Sequence, residues 1–418
     1  MRASLKAMRK HPSRPAHFIR LLAAASIAAL AVPRVAFAQQ PVTREQAVAA
    51  ALARGPRVAL AAPDTAAARA ELISARAFQN PVVSASYSKD VPQYHATVEL
   101  PLDYPWLRGA RVRAAAEAST SAVLRFRFER ASARFDAEQA YTEALASAAQ
   151  ALLSRHTARD ADSLLRMAAL RRDVGDASEL DVQLATVNAG QLANDAASDS
   201  AAAIGALLEV QRVMGLPSDQ PQIALADSLA IPATDSGALA GPTLQVASAE
   251  AAARSAEAGF ALARRSVFAA PSLTFGFDTH DPTPGGETGI LPTFGLALTF
   301  PLFNFNGGAI AAAAAARDRA AAELVVARQE SDAAVARARR DLGVAAQRAR
   351  RGRQLVASAD RVAAMSLTAY AEGAVALPSV LEAQRQAREA FGRLIDDLAA
   401  ANLAQSAVRL FTSSELSP

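Results

Sequence analysis

Two stretches of the chain, 190 to 200 positions apart (Pro271 against Pro81, Pro301 against Pro101), carry the same pattern. The first runs Asn80-Pro81-Val82-Val83-Ser84-Ala85-Ser86-Tyr87, then Thr97-Val98-Glu99-Leu100-Pro101-Leu102, then Gly109 and an Ala-rich run. The second runs Ala270-Pro271-Ser272-Leu273-Thr274-Phe275-Gly276-Phe277, then Leu296-Ala297-Leu298-Thr299-Phe300-Pro301-Leu302, then Gly307-Gly308 and another Ala-rich run. Gly175 to Val182 matches Gly373 to Val380 in the same way. A repeat must be recognised before any fold is assigned, because it defines the structural unit. Here the unit is helix, β-hairpin, very long helix, tight turn, returning helix, used twice.

The strand segments are short and alternate. Val83, Ala85 and Tyr87 fall on one side, and Ser84, Ser86 and Ser88 on the other. Leu273, Phe275 and Phe277 alternate with Thr274 and Gly276; Leu296, Leu298 and Phe300 alternate with Ala297 and Thr299. Strands are expected at 82–91 and 94–102, and at 272–279 and 293–301. A tilted membrane strand takes about 9–11 residues. The alternation is that of a barrel with an apolar exterior and a wet lumen. Tyr87, Tyr94, Tyr104, Trp106, Phe300, Phe303 and Phe305 crowd the strand ends, where interfacial aromatics gather.

The remainder is helical. Thr43 to Phe78 begins with a capping box, Thr43 with Gln46, and meets a break at Gly55-Pro56. Gly109 to Arg172 holds no proline, which allows about 96 Å of unbroken helix. Tyr141, Leu145, Ala148 and Leu152 make an apolar stripe along it; Val335, Ala338, Leu342 and Ala345 make another on 309–370. Each long helix ends at a glycine, Gly175 or Gly373, a residue suited to the left-handed stop. Helices return from Ser178 to Met214 and from Pro378 to Phe411. Residues 215–241, rich in Pro, Asp and Ser, read as a linker packed as an irregular belt on the helices.

The first 38 residues read as a secretory signal. Arg2, Lys6, Arg9, Lys10, Arg14 and Arg20 precede an apolar core from Leu21 to Val32, and Ala36-Phe37-Ala38 is a cleavage site. The whole chain has 44 basic and 40 acidic side chains. Seven of those bases lie in the first 38 residues with no acid, so the mature chain is net acidic by three. A nucleic-acid partner has no footprint. With no cysteine, disulfides and thiol catalysis are excluded. No nucleotide loop, Ser/His/Asp grouping or metal-ligand spacing points to an enzyme or a cofactor. His95 and His280 fall in or beside the two hairpin loops; Asp278, His280 and Asp281 could bind a metal ion, but the reading taken is that of exposed loop residues. Arg348, Arg350, Arg351 and Arg353 read as a solvated face pairing with acids on a neighbour.

The duplicated hairpins, the Pro101-Leu102 and Pro301-Leu302 returns, and the segments Gly175 to Ala185 and Tyr370 to Gln384 resemble the TolC-type outer membrane efflux protein family. The likeness runs from Val42 to Phe411. Phe300 to Asn304 with Asn306, Gly307 and Gly308 resembles the branch serving heavy-metal pumps. The resemblance implies a mainly α fold with a membrane β-barrel: a homotrimer whose 12 strands close one barrel, continued by a periplasmic α-barrel. It implies a 1–38 signal peptide, a first repeat at 39–214 with its tip near 173–182, a linker at 215–241, a second repeat at 242–412 with its tip near 371–380, and a disordered 413–418 tail. It implies passive efflux across the outer membrane, an inner-membrane pump and a periplasmic adaptor as partners, and neither cofactor nor metal.

By motif position, the periplasmic aperture slots hold Glu382 and Ser379 on the second returning helix and Asp181 on the first. Three copies of Glu382 near a trimer axis would favour cations. Ser379 departs from the commonly acidic slot. Val375 is not basic, so the family's pairing of Asp181 with a base on the other tip is expected to be missing. Gly175, Asp176, Gly373 and Ala374 are the expected adaptor contacts. Solvated helix faces are the plain alternative for Glu382 and Asp181. A type I secretion duct, or a structural coiled-coil protein of periplasm or surface, would share the helices; a stalk has no use for membrane-length hairpins.

Overall fold

The computed structural model describes residues 40–90, 92–233, 242–268, 270–279 and 289–412. The expected signal peptide, His280, Asp281, the end of the linker and the 413–418 tail lie outside the described residues. The chain opens with a three-residue strand, Gln40–Val42 (β1), then Arg44–Arg54 (α1) and Pro56–Arg76 (α2). Thr43 and Gln46 form the full capping box. Gly55 separates the two helices. Its extended backbone (φ −62°, ψ 150°) cannot continue a helix, and Pro56 takes the first turn of the next, where its missing N–H costs nothing.

A hairpin follows, Val82–Tyr87 (β2) and Tyr94–Pro101 (β3). β2 stops four residues short of the expected 91. Ser88 donates its N–H to Gln93 and its hydroxyl to the carbonyls of Asp90 and Pro92, so the chain turns at Ser88 instead. β3 ends at Pro101 rather than 102. Then come the long helix Pro105–Asp173 (α3) and its return Glu179–Val213 (α4). α3 begins four residues before the expected Gly109, with Pro105 again in the first turn.

Within 215–233 the strand Ile223–Leu225 (β4) pairs in parallel with β1. Tyr141, fully buried, donates its hydroxyl hydrogen to Val42 O at 2.7 Å and accepts from Asp227 N at 3.3 Å. Burial pushes its phenol up to about 12. Asn402 and Gln405 donate side-chain amides to Ala230 and Ala233 carbonyls. This segment is thus tied to the middle of α3 and to the last helix of the chain.

The same order then recurs: Leu244–Arg265 (α5), Ser272–Thr279 (β5), Ile290–Ala297 (β6), Gly307–Ala371 (α6) and Leu377–Thr412 (α7). β6 lies at 290–297, not at the expected 293–301. Leu302 N bonds back to Phe300 O, which closes a turn and takes Phe300 and Pro301 out of the ladder. The second stripe, Val335, Ala338, Leu342 and Ala345, is buried throughout. The first is not. Tyr141 and Leu145 are buried but Ala148 and Leu152 are exposed. Beyond Leu145 the buried line is Ala151, Ser154, Ala161 and Ala168, which keeps a seven-residue spacing with Ala137, Ala140 and Ala144. A strict heptad drifts around a straight helix, so the seam is followed by supercoiling.

Apart from the β1-β4 pair, the described strands form one sheet in the order β2-β3-β5-β6, all antiparallel. The helices keep the same sequence across the wall. α2 packs on α3, α3 on α5 and α5 on α6 beside the sheet; further down, α4 packs on α3, α3 on α7 and α7 on α6.

Candidate functional site

Cross-strand register divides the sheet into two chemically distinct faces. One carries Val83, Ala85 and Tyr87 of β2, Tyr94, Ala96, Val98 and Leu100 of β3, Leu273, Phe275 and Phe277 of β5, and Ile290, Phe294 and Leu296 of β6. Most of these large side chains are exposed; Phe294 is 75% exposed and Val83 73%. A patch of this size facing water is not found on ordinary monomeric surfaces. Aromatics bound it. Tyr87 and Tyr94 sit 5.2 Å apart at the hairpin end, and Tyr104 stacks on Trp106 at 4.4 Å where the helices begin. Phe300, Phe303 and Phe305 are exposed at that same end.

The other face is mostly polar, with Val82 and Leu291 as apolar members. Ser84 and Thr97 hydroxyls hydrogen-bond at 2.7 Å. His95 Nδ1 meets Asp278 Oδ1 at 2.7 Å, and Thr293 donates to Asp278 Oδ2 at 2.7 Å, so three strands are joined through one carboxylate. Glu99, Thr274 and Gly276 continue that side. His95 thus lies within β3, one residue from the hairpin loop. Among the described residues no three ligand-type side chains cluster to hold a metal. The outer edges of β2 and β6 have no strand partner among the described residues.

At the far ends of the helices lie the two tips. Each closes with the same pair of backbone bonds: Gly175 N to Arg172 O with Asp176 N to Arg171 O, and Gly373 N to Tyr370 O with Ala374 N to Ala369 O. That is the double bond pattern of a Schellman stop, and it requires the left-handed residue supplied by Gly175 (φ +84°) and Gly373 (φ +78°). Gly175, Asp176, Gly373 and Ala374 are all exposed. A shared core of Leu164, Ala168, Val182, Ala185, Tyr370, Leu377 and Val380 holds the tips at one level.

Asp181 serves its own helix. Its carboxylate accepts from Ser178 N at 3.0 Å and Ser178 Oγ at 2.9 Å, as the third residue of a capping box. Ser379 and Glu382 are exposed one turn apart on α7. Glu382 takes two hydrogen bonds from Arg385, at 2.7 and 2.9 Å, and one from Gln386 at 2.8 Å. Those bonds, Arg385's first, hold its carboxyl below the usual range. Above the tips, between α3, α4, α6 and α7, Glu382 and Arg385 border a cavity of about 940 Å³.

A contact between the tips comes from a residue that sequence reasoning passed over. Val375 is indeed no base, but Arg171, on the first tip, reaches the second. Its guanidinium donates to Tyr370 O and lies 4.7 Å from the Tyr370 ring centroid. Burial raises the Tyr370 phenol, and the nearby Arg171 charge opposes that shift. In sequence Arg171 reads as an ordinary base in a last helical turn; the 199 residues separating it from Tyr370 hide the pairing.

No protein-family model and no curated protein matches the chain. Solved structures do. The CmeC outer membrane channel of Campylobacter jejuni superposes with a TM-score of 0.75 at 15% identity, covering 89% of this chain and 87% of that one. A membrane protein from Pseudomonas aeruginosa gives 0.74 at 19% identity, over 88% and 92%. The outer membrane protein VceC of Vibrio cholerae gives 0.71 at 16%, over 88% and 95%. The fold is that of TolC-type outer membrane channels.

Proposed function

We propose that the chain is the outer membrane component of a tripartite efflux system. Three copies close their sheets edge to edge into a 12-stranded barrel, and the helices extend it into the periplasm. The observation that carries this reading is the sheet with one apolar face, one polar face and two open edges. In lipid every backbone group needs an internal partner, so an open four-stranded sheet cannot span alone. Pairing β6 of one copy with β2 of the next satisfies both edges at once. The apolar face then meets lipid, and the His95–Asp278–Thr293 face meets water. Among the described residues no helix is long and apolar enough to cross a membrane, so the sheet is the element that would do so.

The repeated element order supports an internal duplication, each copy supplying one hairpin and one helix-turn-helix. Passage would be passive: the helices carry no nucleotide loop, and energy would come from an inner-membrane pump joined through a periplasmic adaptor at Gly175, Asp176, Gly373 and Ala374. Glu382, Ser379 and Asp181 would face the aperture at the tips. Solved structures of the same fold described as outer membrane channels support the location and the role. Single-channel recording of the purified chain in planar bilayers tests it. Discrete conductance from a natively trimeric preparation is expected. A trimer that remains silent even after Gly or Ser replacements at Arg171 and Tyr370 loosen the tips would refute a conduit.

A further inference from the structure

The mostly polar face of the sheet holds one ionisable pair that joins the two repeats. β3 is the last strand of the first hairpin and β5 the first strand of the second, and their register sets His95 opposite Asp278. His95 Nδ1 lies 2.7 Å from Asp278 Oδ1. An ionised carboxylate only accepts, so Nδ1 carries the hydrogen and Nε2 is the ring nitrogen left to gain or lose a proton. Nε2 lies 3.5 Å from Ser88 Oγ, whose hydrogen already serves the Asp90 and Pro92 carbonyls. The two side chains are 32% and 24% exposed, so water reaches both.

The pair sits at the end of the sheet remote from the helices. His95 is the second residue of β3, just past the hairpin turn, whereas α3 begins beyond the other end of β3, at Pro105. Lys89 and Asp90 are the charged residues of that turn. Ser86 of β2 lies opposite His95, and Thr293 of β6 donates to Asp278. β2 and β6 contain no charged residue. The other acid on this face of β3 is Glu99, four residues or about 13 Å nearer the helices. His280, Asp281 and Glu287 of the β5–β6 connection lie outside the described residues. Glu382 is remote: α6 alone spans 65 residues, about 98 Å, against a screening length of about 10 Å at 0.1 M salt.

We infer that His95 and Asp278 form a second selectivity element at the outer mouth of the pore, one whose charge is set by the protonation of His95. This rests on the trimeric conduit proposed above, in which the pair recurs three times around the mouth. With His95 neutral, each copy presents an uncompensated Asp278 carboxylate to the lumen. With a proton on Nε2, the imidazolium cancels that charge. Rings of charged side chains set the ion preference of a pore. Histidine is the side chain that changes charge between about pH 5 and 8. Cation preference at the mouth therefore rises with pH, over a background from Glu99. Charges on the wall of a wide lumen act on passing ions only where screening is weak. The effect thus belongs to dilute salt, where the screening length reaches about 30 Å at 0.01 M.

The scarcity of histidine makes the test direct. The five histidines are His11, His17, His95, His156 and His280, and the first two fall in the expected signal peptide. Reversal potentials of the trimer are read in planar bilayers under a dilute KCl gradient, with the tips loosened at Arg171 and Tyr370 where the wild type is silent. The permeability of K⁺ over Cl⁻ should fall about twofold or more between about pH 8 and about pH 5.5, a window that crosses the histidine range above that of ordinary carboxylates. The fall should vanish near 0.5 M KCl, where screening is short. His95→Gln, with an amide that can still donate to Asp278, should keep the high preference at both pH values. Asp278→Asn should lower the preference at the higher pH. His156→Gln and His280→Gln should fall as the wild type does, and Glu382→Ala should retain the fall whatever its effect on the absolute preference. A fall that survives His95→Gln, one abolished by His156→Gln or His280→Gln, an Asp278→Asn pore unchanged at the higher pH, or a conducting wild type with no fall overturns the inference and leaves the conduit standing. A verified trimer that stays silent even with loosened tips overturns the conduit as well.

Discussion

Arg171 adds a polar contact from the first tip to the second beside their shared apolar core, and Arg171→Met removes its charge while keeping most of its stem. The wild-type guanidinium makes a charge-assisted hydrogen bond to Tyr370 O and sits 4.7 Å from the Tyr370 ring centroid. Such a hydrogen bond contributes about 1.5–3 kcal/mol. A cation over a partly exposed ring adds roughly 0.5–1 kcal/mol. The methionine stem recovers part of the ring contact, so a net loss of about 2–3 kcal/mol in the closed-tip state is reasonable. At 1.4 kcal/mol per decade that multiplies local opening about 30- to 150-fold. Hydrogen exchange read by mass spectrometry measures it, since the Gly373 and Ala374 amides are protected by the bonds that close the second tip. Exchange across 369–376 should accelerate by that factor, with little change in the sheet or in mid-helix. Arg172→Met is the control: Arg172 pairs with Asp173 and Glu179 on its own tip and should leave 369–376 unaltered. Equal acceleration in both variants, or none in Arg171→Met, would refute a bridge between the tips.

Tyr141→Phe leaves Val42 O and Asp227 N without their buried partner and should cost about 1–3 kcal/mol, read as a lower melting temperature. Because the folded-state phenol lies near 12 against an ordinary 10, wild-type stability should fall as pH rises through that window, and the Phe variant should lose this part of the decline. Glu382→Ala should reduce cation selectivity in planar bilayers if that carboxylate borders the aperture. Since Arg385 holds the Glu382 carboxyl low, its charge should persist below the usual carboxylate range and vanish only as pH falls through the lowered value; Arg385→Ala should move that loss to higher pH. Phe294→Arg places a charge on the apolar face and should cost about 2–4 kcal/mol if that position lies at mid-bilayer, seen as failed membrane insertion.

Much of the plan is written locally. The capping box at Thr43 and Gln46, the break at Gly55, and the stops at Gly175 and Gly373 each depend on residues within one turn, and each stands where the sequence places it. The alternation in the hairpins is legible because a strand has a period of two and one face is nearly free of polar groups. Strand ends are less legible. β2 is cut short by hydrogen bonds from Ser88, and β6 by a turn at Phe300, where the apolar alternation continues past the ladder. The stripe through Ala148 and Leu152 keeps the seven-residue spacing of Tyr141 and Leu145 but leaves the packed face, which continues instead through the small residues Ala151, Ser154, Ala161 and Ala168. Long-range pairs were beyond reach: β1 with β4 is three residues against three, and Arg171 meets Tyr370 across nearly half the chain. At the tip, a base was sought on the second turn for an acid on the first. The base is on the first turn and faces an aromatic ring and a carbonyl.

The two open margins of the β2-β3-β5-β6 sheet have a consequence for the order in which the protein is made. A lone chain can complete its helical wall in water, where the unpaired backbone of β2 and β6 is hydrated. It cannot carry those strands into lipid, where each unpaired group costs several kcal/mol. On the proposed trimeric reading, assembly would therefore accompany insertion. For a ring of three, the rate of that step should climb steeply with the number of free chains. Dilute chains would wait as unassembled wall segments, exposed to proteases and holdases. Abundance, as much as sequence, would then set how much finished pore a cell holds.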